Sequence, residues 1–461
     1  MNLSLTALEL ARRVRGRLLQ GCREATLSDL GLDSRTLRSG QWFWALRGER
    51  HDGHDHLVEA LSRGASGFVI HRETLPPGLK EHPDLPVLSV PDTLGALQEL
   101  ARHHCLEAAP ITAAVTGTNG KTTTKEMLAS ICRRKGGTFA SQGNLNSQIG
   151  LPLTLLDLSA DDRFCILEMG ASERGHIRRL SEIARPRFGV ITNVGRAHLQ
   201  FFGSVENVAR AKWELIEALP ADGHAILPWG EALLKPLLPD APCPVTTFGE
   251  DPRSEVRAQN IEEDGSLRFE LVLEDRPRPV RLPVLGRVNV LNALAAAACA
   301  WRMGLDPDSI AEGLERFTPP PLRMAVVQHP SGAVLLNDAY NANPDSMKAA
   351  LLSFSRHFEG RERIFVLGSM LELGPDSAAL HRELGAFAAG LGAREIHFIG
   401  EEASAAAEEA RSLGARAVLH KTPDSLEAAL RAHLRPGVAL LFKGSRAIGL
   451  DRLVRTLESK S

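Results

Sequence analysis

The chain has 461 residues, with 54 Lys+Arg against 56 Asp+Glu for a formal net charge of −2, and six cysteines. That length exceeds what one core can fill, and at roughly 100–200 residues per domain it calls for about three units. Balanced charge excludes a basic field for nucleic acid and an acidic tail, and scattered cysteines with no C-x-x-C pair read as buried thiols of a reducing compartment.

At the N-terminus, MNLSLTALELARRVRG places its positive charges after the apolar residues and carries no cleavage site, so no signal peptide is expected. The most apolar stretch, 293–300, is far short of a membrane span. A cytoplasmic monomer acting on small molecules, with neither nucleic acid nor membrane as partner, is the expectation.

Residues 1–108 alternate helix-like and strand-like runs: a helix over 5–19, strands over 42–46 and 67–71, and a helix over 93–104. Ser34 and Arg35 could hold a phosphate or carboxylate through a hydroxyl and a forked guanidinium. The run from His51 to His56 packs three histidines and two aspartates into six residues. Ligands so close along an irregular loop cannot all converge on one ion, so a solvated polar turn is expected there.

Next comes AAVTGTNGKTTT, residues 113–124. An apolar run over 111–115 stops at a Gly/Asn turn, and Lys121 opens a helix carried by Met127, Leu128 and Ile131 to a basic end at Arg133, Arg134 and Lys135. In such a turn Gly117 and Gly120 let the backbone around Thr118 and Asn119 wrap a polyanion. The helix start adds partial positive charge, and Lys121 adds a full one. Thr122, with Thr123 behind it, is placed to ligate the magnesium of a nucleoside triphosphate. The general phosphate-loop pattern wants glycine where Val115 stands, so GTNGKT is a compact form.

A strand over 163–167 delivers Glu168 to the sheet edge where ligands bind, and one over 188–192 delivers His198 as a candidate ligand or electrophilic contact. Lys212 is anomalous. In the helix predicted over 205–219 it falls inside the stripe of Val205, Val208, Ala209, Ile216 and Leu219. Burying an ammonium costs several kcal/mol unless it is paired, neutralised or modified. The readings are a stem that snorkels, a phosphate contact, or a depressed-pKa amine that captures carbon dioxide as a carbamate. Asn144, Asn146 and Gln148 offer amides in GNLNSQIGLP, and Asn289 and Asn292 share one face at the start of an alanine-rich helix over 290–303. Both sets could contact a base or substrate, or serve as caps.

A stiff Thr318-Pro319-Pro320-Pro321 linker opens the last part. Strands near 333–337, 363–367, 395–399, 416–420 and 437–442 alternate with helices, which is the pattern of a doubly wound parallel sheet. The first strand exits into DAYNANP, where Asn343 and Pro344 should start a helix and where the only tyrosine, Tyr340, sits at the ligand edge.

GTNGKTTT, EMGA (168–171), TNVGRAHL (192–199), the lysine of ARAKWE and NVLNALAAA (289–297) together resemble the Mur ligases, ATP-dependent amide-forming enzymes of peptidoglycan synthesis. DAYNANPDSM (338–347), LGSMLELG (367–374) with His381, and LFKGSR (441–446) are similar to the branch that joins D-alanyl-D-alanine to UDP-N-acetylmuramoyl-tripeptide. The DSR…G…WFWAL.G…DGH pattern looks like the uridine-nucleotide domain of that branch. The resemblance implies an α/β protein of three domains: a UDP-sugar-peptide domain over 1–108, a parallel-sheet ATPase over 109–316 and a Rossmann-like domain over 317–461.

It implies ATP and Mg2+ as cofactors, with Lys121 on the phosphates, Thr122 and Glu168 on one magnesium, and His198 with a carbamylated Lys212 on a second. Asn289, Asn292, Arg323 and Asp338 would contact the nucleotide. Ser34, Arg35, Asn144, Asn146, Tyr340, Asn341, Asn343, Lys443 and Ser445 would face the substrates. Three positions depart from the family pattern: Val288 where histidine is common, Ser369 where aspartate is usual, and NSQIG for NNEIG at 146–150. Folylpolyglutamate synthetases share the ATPase core but are not expected to carry YNANPDSM or the DSR domain. A switch protein that senses ATP without ligating anything is the reading from another class.

Overall fold

The computed structural model describes residues 1–48, 51–143 and 145–459. The chain divides into two compact units: residues 1–113, 136–170 and 176–187 form one, and 114–135, 171–175 and 188–461 the other.

In the first unit, a five-stranded sheet runs Arg17–Gln20, Val87–Ser89, Gly67–Ile70, Trp42–Trp44, Leu30–Gly31, antiparallel only at its first pair. Its centre is apolar on both faces, as an α/β sheet requires: Trp42, Phe43 and Trp44 are all buried, and Trp44 Nε1 donates to Thr93 O. The helix Thr93–Ala108 is capped by Asp92 and stops at Ala109, whose φ of 47° no helix continues. The helix expected over 5–19 is shorter. A capping box between Thr6 and Glu9 starts it at Ala7, and it ends at Arg13 because Arg17, Leu18 and Gln20 pair as a strand instead. A second parallel pair, Thr138–Ala140 with Phe164–Glu168, belongs to this unit.

The polar turn at 51–56 is not simply solvated. His54 is buried, its Nδ1 stands 2.5 Å from Asp52 Oδ1, and its Nε2 accepts from His71 N at 2.7 Å. Local Asx geometry turned one histidine inward, and no metal-holding group forms there among the described residues.

The second unit carries two sheets. One begins with residues 114–116 and continues through Phe188–Ile191, His224–Pro228, Val245–Gly249 and Val256–Glu263, with Leu267–Leu273 and Arg276–Leu282 antiparallel at the far edge. Those last strands were not legible as a β-meander. The other sheet runs Ala325–Gln328, Val334–Asn337, Val438–Lys443, Glu362–Gly368, Glu395–Ile399, Ala417–His420. It is parallel except for its edge strand Ala325–Gln328, which the spacing did not predict.

Alternation along its strands separates two apolar layers. Leu336, Phe365, Leu367, Phe398 and Leu441 pack against Pro344–His357 and Ser377–Ala389, while Ile364, Val366, Leu440 and Phe442 pack against Pro423–Arg431 and Leu450–Ser459. All six cysteines are free thiols, buried except Cys22. No described helix is long and apolar enough to cross a membrane.

Candidate functional site

Within the second unit the loop after residue 116 is built by close approach. Gly117 has φ 149°, and a Cβ on it would stand 1.9 Å from Thr192 Oγ1; on Gly120, at φ 79°, a Cβ would stand 2.1 Å from Asn292 Oδ1. Backbone and side-chain bonds stitch the loop to the tip of the neighbouring strand. Thr118 N donates to Asn193 O (3.1 Å), Asn119 N to Asn193 Oδ1 (2.9 Å) and Thr192 Oγ1 to Asn119 O (2.6 Å). Lys121 opens the helix Lys121–Cys132 and folds back, Nζ donating to Gly117 O (3.0 Å) and Thr118 O (3.1 Å). Thr122 and Thr123 are buried in its first turn. The positive end of the helix and a full ammonium therefore share one turn, as an anion site requires.

Residues from the last third of the chain close over this turn. Arg323 Nη2 donates to Thr122 Oγ1 at 2.7 Å, and its guanidinium lies 4.1 Å from the Tyr340 ring centroid. Leu322 (φ 64°) and Met324 (φ 53°) both sit in the left-handed region, so the backbone bears strain on either side of the arginine. Asp338 accepts from Met324 N (3.2 Å) and pairs with Lys443 (2.7 Å), whose Nζ also reaches Asn341 O (3.1 Å). Asn343 caps the helix Pro344–His357 by accepting from Ser346 N, and its amide exchanges bonds with Asn119 at 2.8 and 3.4 Å. Ser445 Oγ accepts from Leu371 N (2.9 Å). Asn289 and Asn292 are buried behind the loop, bonded to Leu285 O, to each other and to Thr124 Oγ1, and neither caps its helix.

His198 and Lys212 complete the group. His198, at φ 53°, presents Nδ1 to Glu372 Oε2 at 2.5 Å. Burial pushes its pKa down, Glu372 partly restores it, and the charges of Lys121 and Lys212 lower it further. Lys212 lies in the helix Val205–Glu217, capped by Ser204, and is buried there, so the stem does not snorkel. Burial first, then the charge of Lys121, holds its amine well below the ordinary lysine value.

The remaining expected residues belong to the first unit. Glu168 ends its strand buried, with Asn146 Nδ2 donating to Oε1 at 2.7 Å and its own N–H donating to Ser141 Oγ at 3.0 Å. Ser34 Oγ donates to Glu59 Oε2 (2.8 Å), while exposed Arg35 grips Asp33 with a fork that holds that carboxyl down at about 2. Asn144 lies outside the described residues.

The departures from the family pattern have structural accounts at two places. Ser369 is fully buried and accepts from Ala403 N (3.1 Å), and Gln148 Nε2 donates to His176 O (2.8 Å). His381 is buried and bridges two backbone groups: Nε2 accepts from Met370 N (3.1 Å) while Nδ1 donates to Ser377 O (2.8 Å). Val288 is exposed. Sequence reasoning passed over Thr192, Asn193, Arg196, Asp345 and Glu372. Arg196 holds Asp345 through its backbone N–H (3.0 Å) and guanidinium (3.2 Å). All five lie inside motifs it had quoted, and that was the available signal.

Comparison with known proteins covers nearly the whole chain. Residues 26–105 match the family model described as Mur ligase family, catalytic domain; 115–300 match Mur ligase middle domain; and 322–446 match Mur ligase, glutamate ligase domain. A curated relative from Bacillus subtilis (strain 168), UDP-N-acetylmuramoyl-tripeptide--D-alanyl-D-alanine ligase, is 35% identical over 459 residues, 98% of each chain. The protein of the same name from Escherichia coli (strain K12) is 34% identical over 469 residues, 99% of each. Among solved structures, MurF from Acinetobacter baumannii superposes with TM-score 0.90 at 32% identity over 99% of both chains. A MurF ligase from Thermotoga maritima in complex with ADP does so with TM-score 0.82 at 28% identity, covering 94% of this chain and 97% of that one.

Proposed function

We infer the reaction from one premise: this chain belongs to the Mur ligase family. It is an ATP-dependent ligase that adds D-alanyl-D-alanine to UDP-N-acetylmuramoyl-tripeptide, giving the UDP-muramoyl-pentapeptide precursor of peptidoglycan. The observation that carries this reading is that the phosphate-type turn and the loop 338–345 make one site, with Asn119 and Asn343 exchanging amide bonds and Arg323 resting on Thr122. A loop that merely sensed ATP would not need the branch-specific loop built against it.

The chemistry follows from the barrier. A carboxylate does not condense with an amine in water, so the γ-phosphoryl passes first to the tripeptide's terminal carboxylate, releasing ADP and forming an acyl phosphate. The dipeptide amine then attacks that carbonyl and phosphate leaves. Lys121 is given the developing phosphate charge, Gly117 to Thr123 the phosphates, and Asn289, Asn292, Arg323 and Asp338 the positioning of the nucleotide. Ser34, Arg35, Asn144 and Asn146 go to the UDP-tripeptide, and Tyr340, Asn341, Asn343, Lys443 and Ser445 to the dipeptide side.

The donor set tests the place of magnesium. Thr122 and Glu168 offer the hard oxygens it prefers, whereas an ammonium at Lys212 would repel it. Lys212 fits only as a carbamate, formed when its neutral nitrogen bonds to the carbon of carbon dioxide and one proton is released. An amine held far below its ordinary value has that neutral form available. His198 keeps Nε2 for a ligand because Nδ1 faces Glu372. Bound magnesium supplies charge neutralisation on the phosphates.

The family-model boundaries at 105/115 and 300/322 support three domains, 1–108, 109–316 and 317–461. The proposal also includes a cytoplasmic location and a monomer. The test is phosphate release coupled to product mass. Release is expected only when ATP, UDP-muramoyl-tripeptide and D-alanyl-D-alanine are all present, together with a pentapeptide product; phosphate release independent of both peptides would overturn the ligase reading. Asn341 is exposed, so Asn341→Ala should spare the fold. It is expected to raise the dipeptide KM severalfold with the ATP KM unchanged, and an unaltered dipeptide KM would remove it from the substrate set.

A further inference from the structure

We propose that Glu395, His397 and His433 form a binding site for one divalent transition-metal ion of the zinc class, apart from the nucleotide turn. Strand alternation places Glu395 and His397 where no polar group is expected, and His433 comes from the turn after the helix Pro423–Arg431. In the parallel register His397 lies beside Val366 and Glu395 beside Ile364, and on that neighbouring strand, Glu362–Gly368, the same face is part of an apolar layer. Two imidazoles and a carboxylate interrupt that layer, all buried. Such groups are costly to bury unless satisfied, and here they are poorly so: Nε2 of His397, 1% exposed, makes no well-formed hydrogen bond although Glu395 Oε2 stands 3.3 Å away.

The geometry says what is missing. Glu395 Oε2 lies 3.3 Å from His397 Nε2 and 3.2 Å from His433 Nε2, and all three ligand atoms fall within 4.8 Å of one another. A tetrahedral zinc with bonds of about 2.0–2.1 Å sets its ligand atoms about 3.3 Å apart, so two of the three edges already have that length. Around the group is the outer support such sites use. His397 Nδ1 is 2.9 Å from His420 Nε2, which leaves Nε2 as the nitrogen turned toward the carboxylate, and Arg416 Nε holds the other oxygen of Glu395 at 3.0 Å. Three protein ligands leave a fourth position for water. Imidazole and carboxylate suit zinc, cobalt or nickel better than magnesium. Among the described residues no other group of three such side chains converges. Glu395 opens its strand, whereas Asp338, Ser369 and Lys443 lie at the opposite, carboxyl ends of the same sheet, so this centre is distinct from the ligase site.

The test is titration of the full-length, chelator-treated protein with cobalt(II), in excess magnesium to occupy the ligase site. One equivalent with the intense visible absorption of a four-coordinate N/O centre is expected, displaced by zinc. His397→Gln and His433→Gln, each confirmed folded by circular dichroism, should lose that equivalent, and His420→Ala should weaken it about 10–100-fold. Zinc should raise the Tm of the wild type and leave that of His433→Gln unmoved. No cobalt equivalent in the wild type, or the same equivalent in both glutamine variants, would overturn the site.

Discussion

Lys212→Ala is expected to cut turnover about a hundred- to a thousandfold while the protein stays folded, read as pentapeptide formation beside an unchanged circular dichroism spectrum. The physical ground is the position of one amine. Lys212 is buried in the helix Val205–Glu217 among Val208, Ala209, Leu215 and Ile216, and among the described residues no carboxylate forms an ion pair with it. Burial and the charge of Lys121 hold it well below its usual value, so the unfolded chain binds that proton more tightly than the folded one. The sign follows: between its lowered value in the fold and the ordinary lysine value, this group makes the folded state more stable as pH rises. Removing it takes away a burial penalty rather than a pairing, so the fold should survive and only the chemistry should suffer. Bicarbonate separates the two functional roles. A carbamate predicts that enzyme depleted of carbon dioxide loses turnover and regains it on adding bicarbonate, whereas a simple phosphate contact predicts no response. Wild-type-like turnover in Lys212→Ala would remove the residue from the mechanism.

The second large effect is on stability. Lys443→Met should destabilise the protein by on the order of 3–5 kcal/mol, because it breaks a buried pair by removing one partner. Lys443 is 4% exposed and Asp338 14%, their charged atoms are 2.7 Å apart, and the ammonium also serves Asn341 O. They close two adjacent parallel strands, Val334–Asn337 and Val438–Lys443, at the edge where the site is built. Left alone, the Asp338 carboxylate would be buried without its counter-charge. The double variant Asp338→Asn, Lys443→Met should recover much of the loss, since removing both charges also removes the uncompensated one. Urea denaturation of the two variants measures this, and a single variant as stable as the wild type would mean the pair is solvated and contributes little.

Much of this was legible because local chemistry is written in local residues. The turn at 117–122, the cap at Asn343 with Pro344 behind it, the five parallel strands of the last domain and the buried lysine all follow from spacing, glycine placement and period. The helix over 5–19 failed because a capping box and strand pairing of Leu18 outweighed an amphipathic pattern. The strands from Val256 to Leu282 were missed because a meander half open to solvent, with charged residues throughout, carries little periodic signal.

Residue order alone carried the fold class, the nucleotide turn and, through the quoted motifs, the kind of chemistry, since a Gly-Lys-Thr turn between a strand and a helix presents backbone N–H groups and an ammonium to phosphate. Which distant side chains complete the site was set by packing. Arg323 on Thr122, Asn119 with Asn343, Arg196 on Asp345 and His198 against Glu372 each join residues more than a hundred positions apart. The same holds for the histidines that gather beside Glu395. Hydrogen bonds and ion pairs act over a few ångströms, and which residues come that close is set by how sheets and helices pack, which no local pattern records.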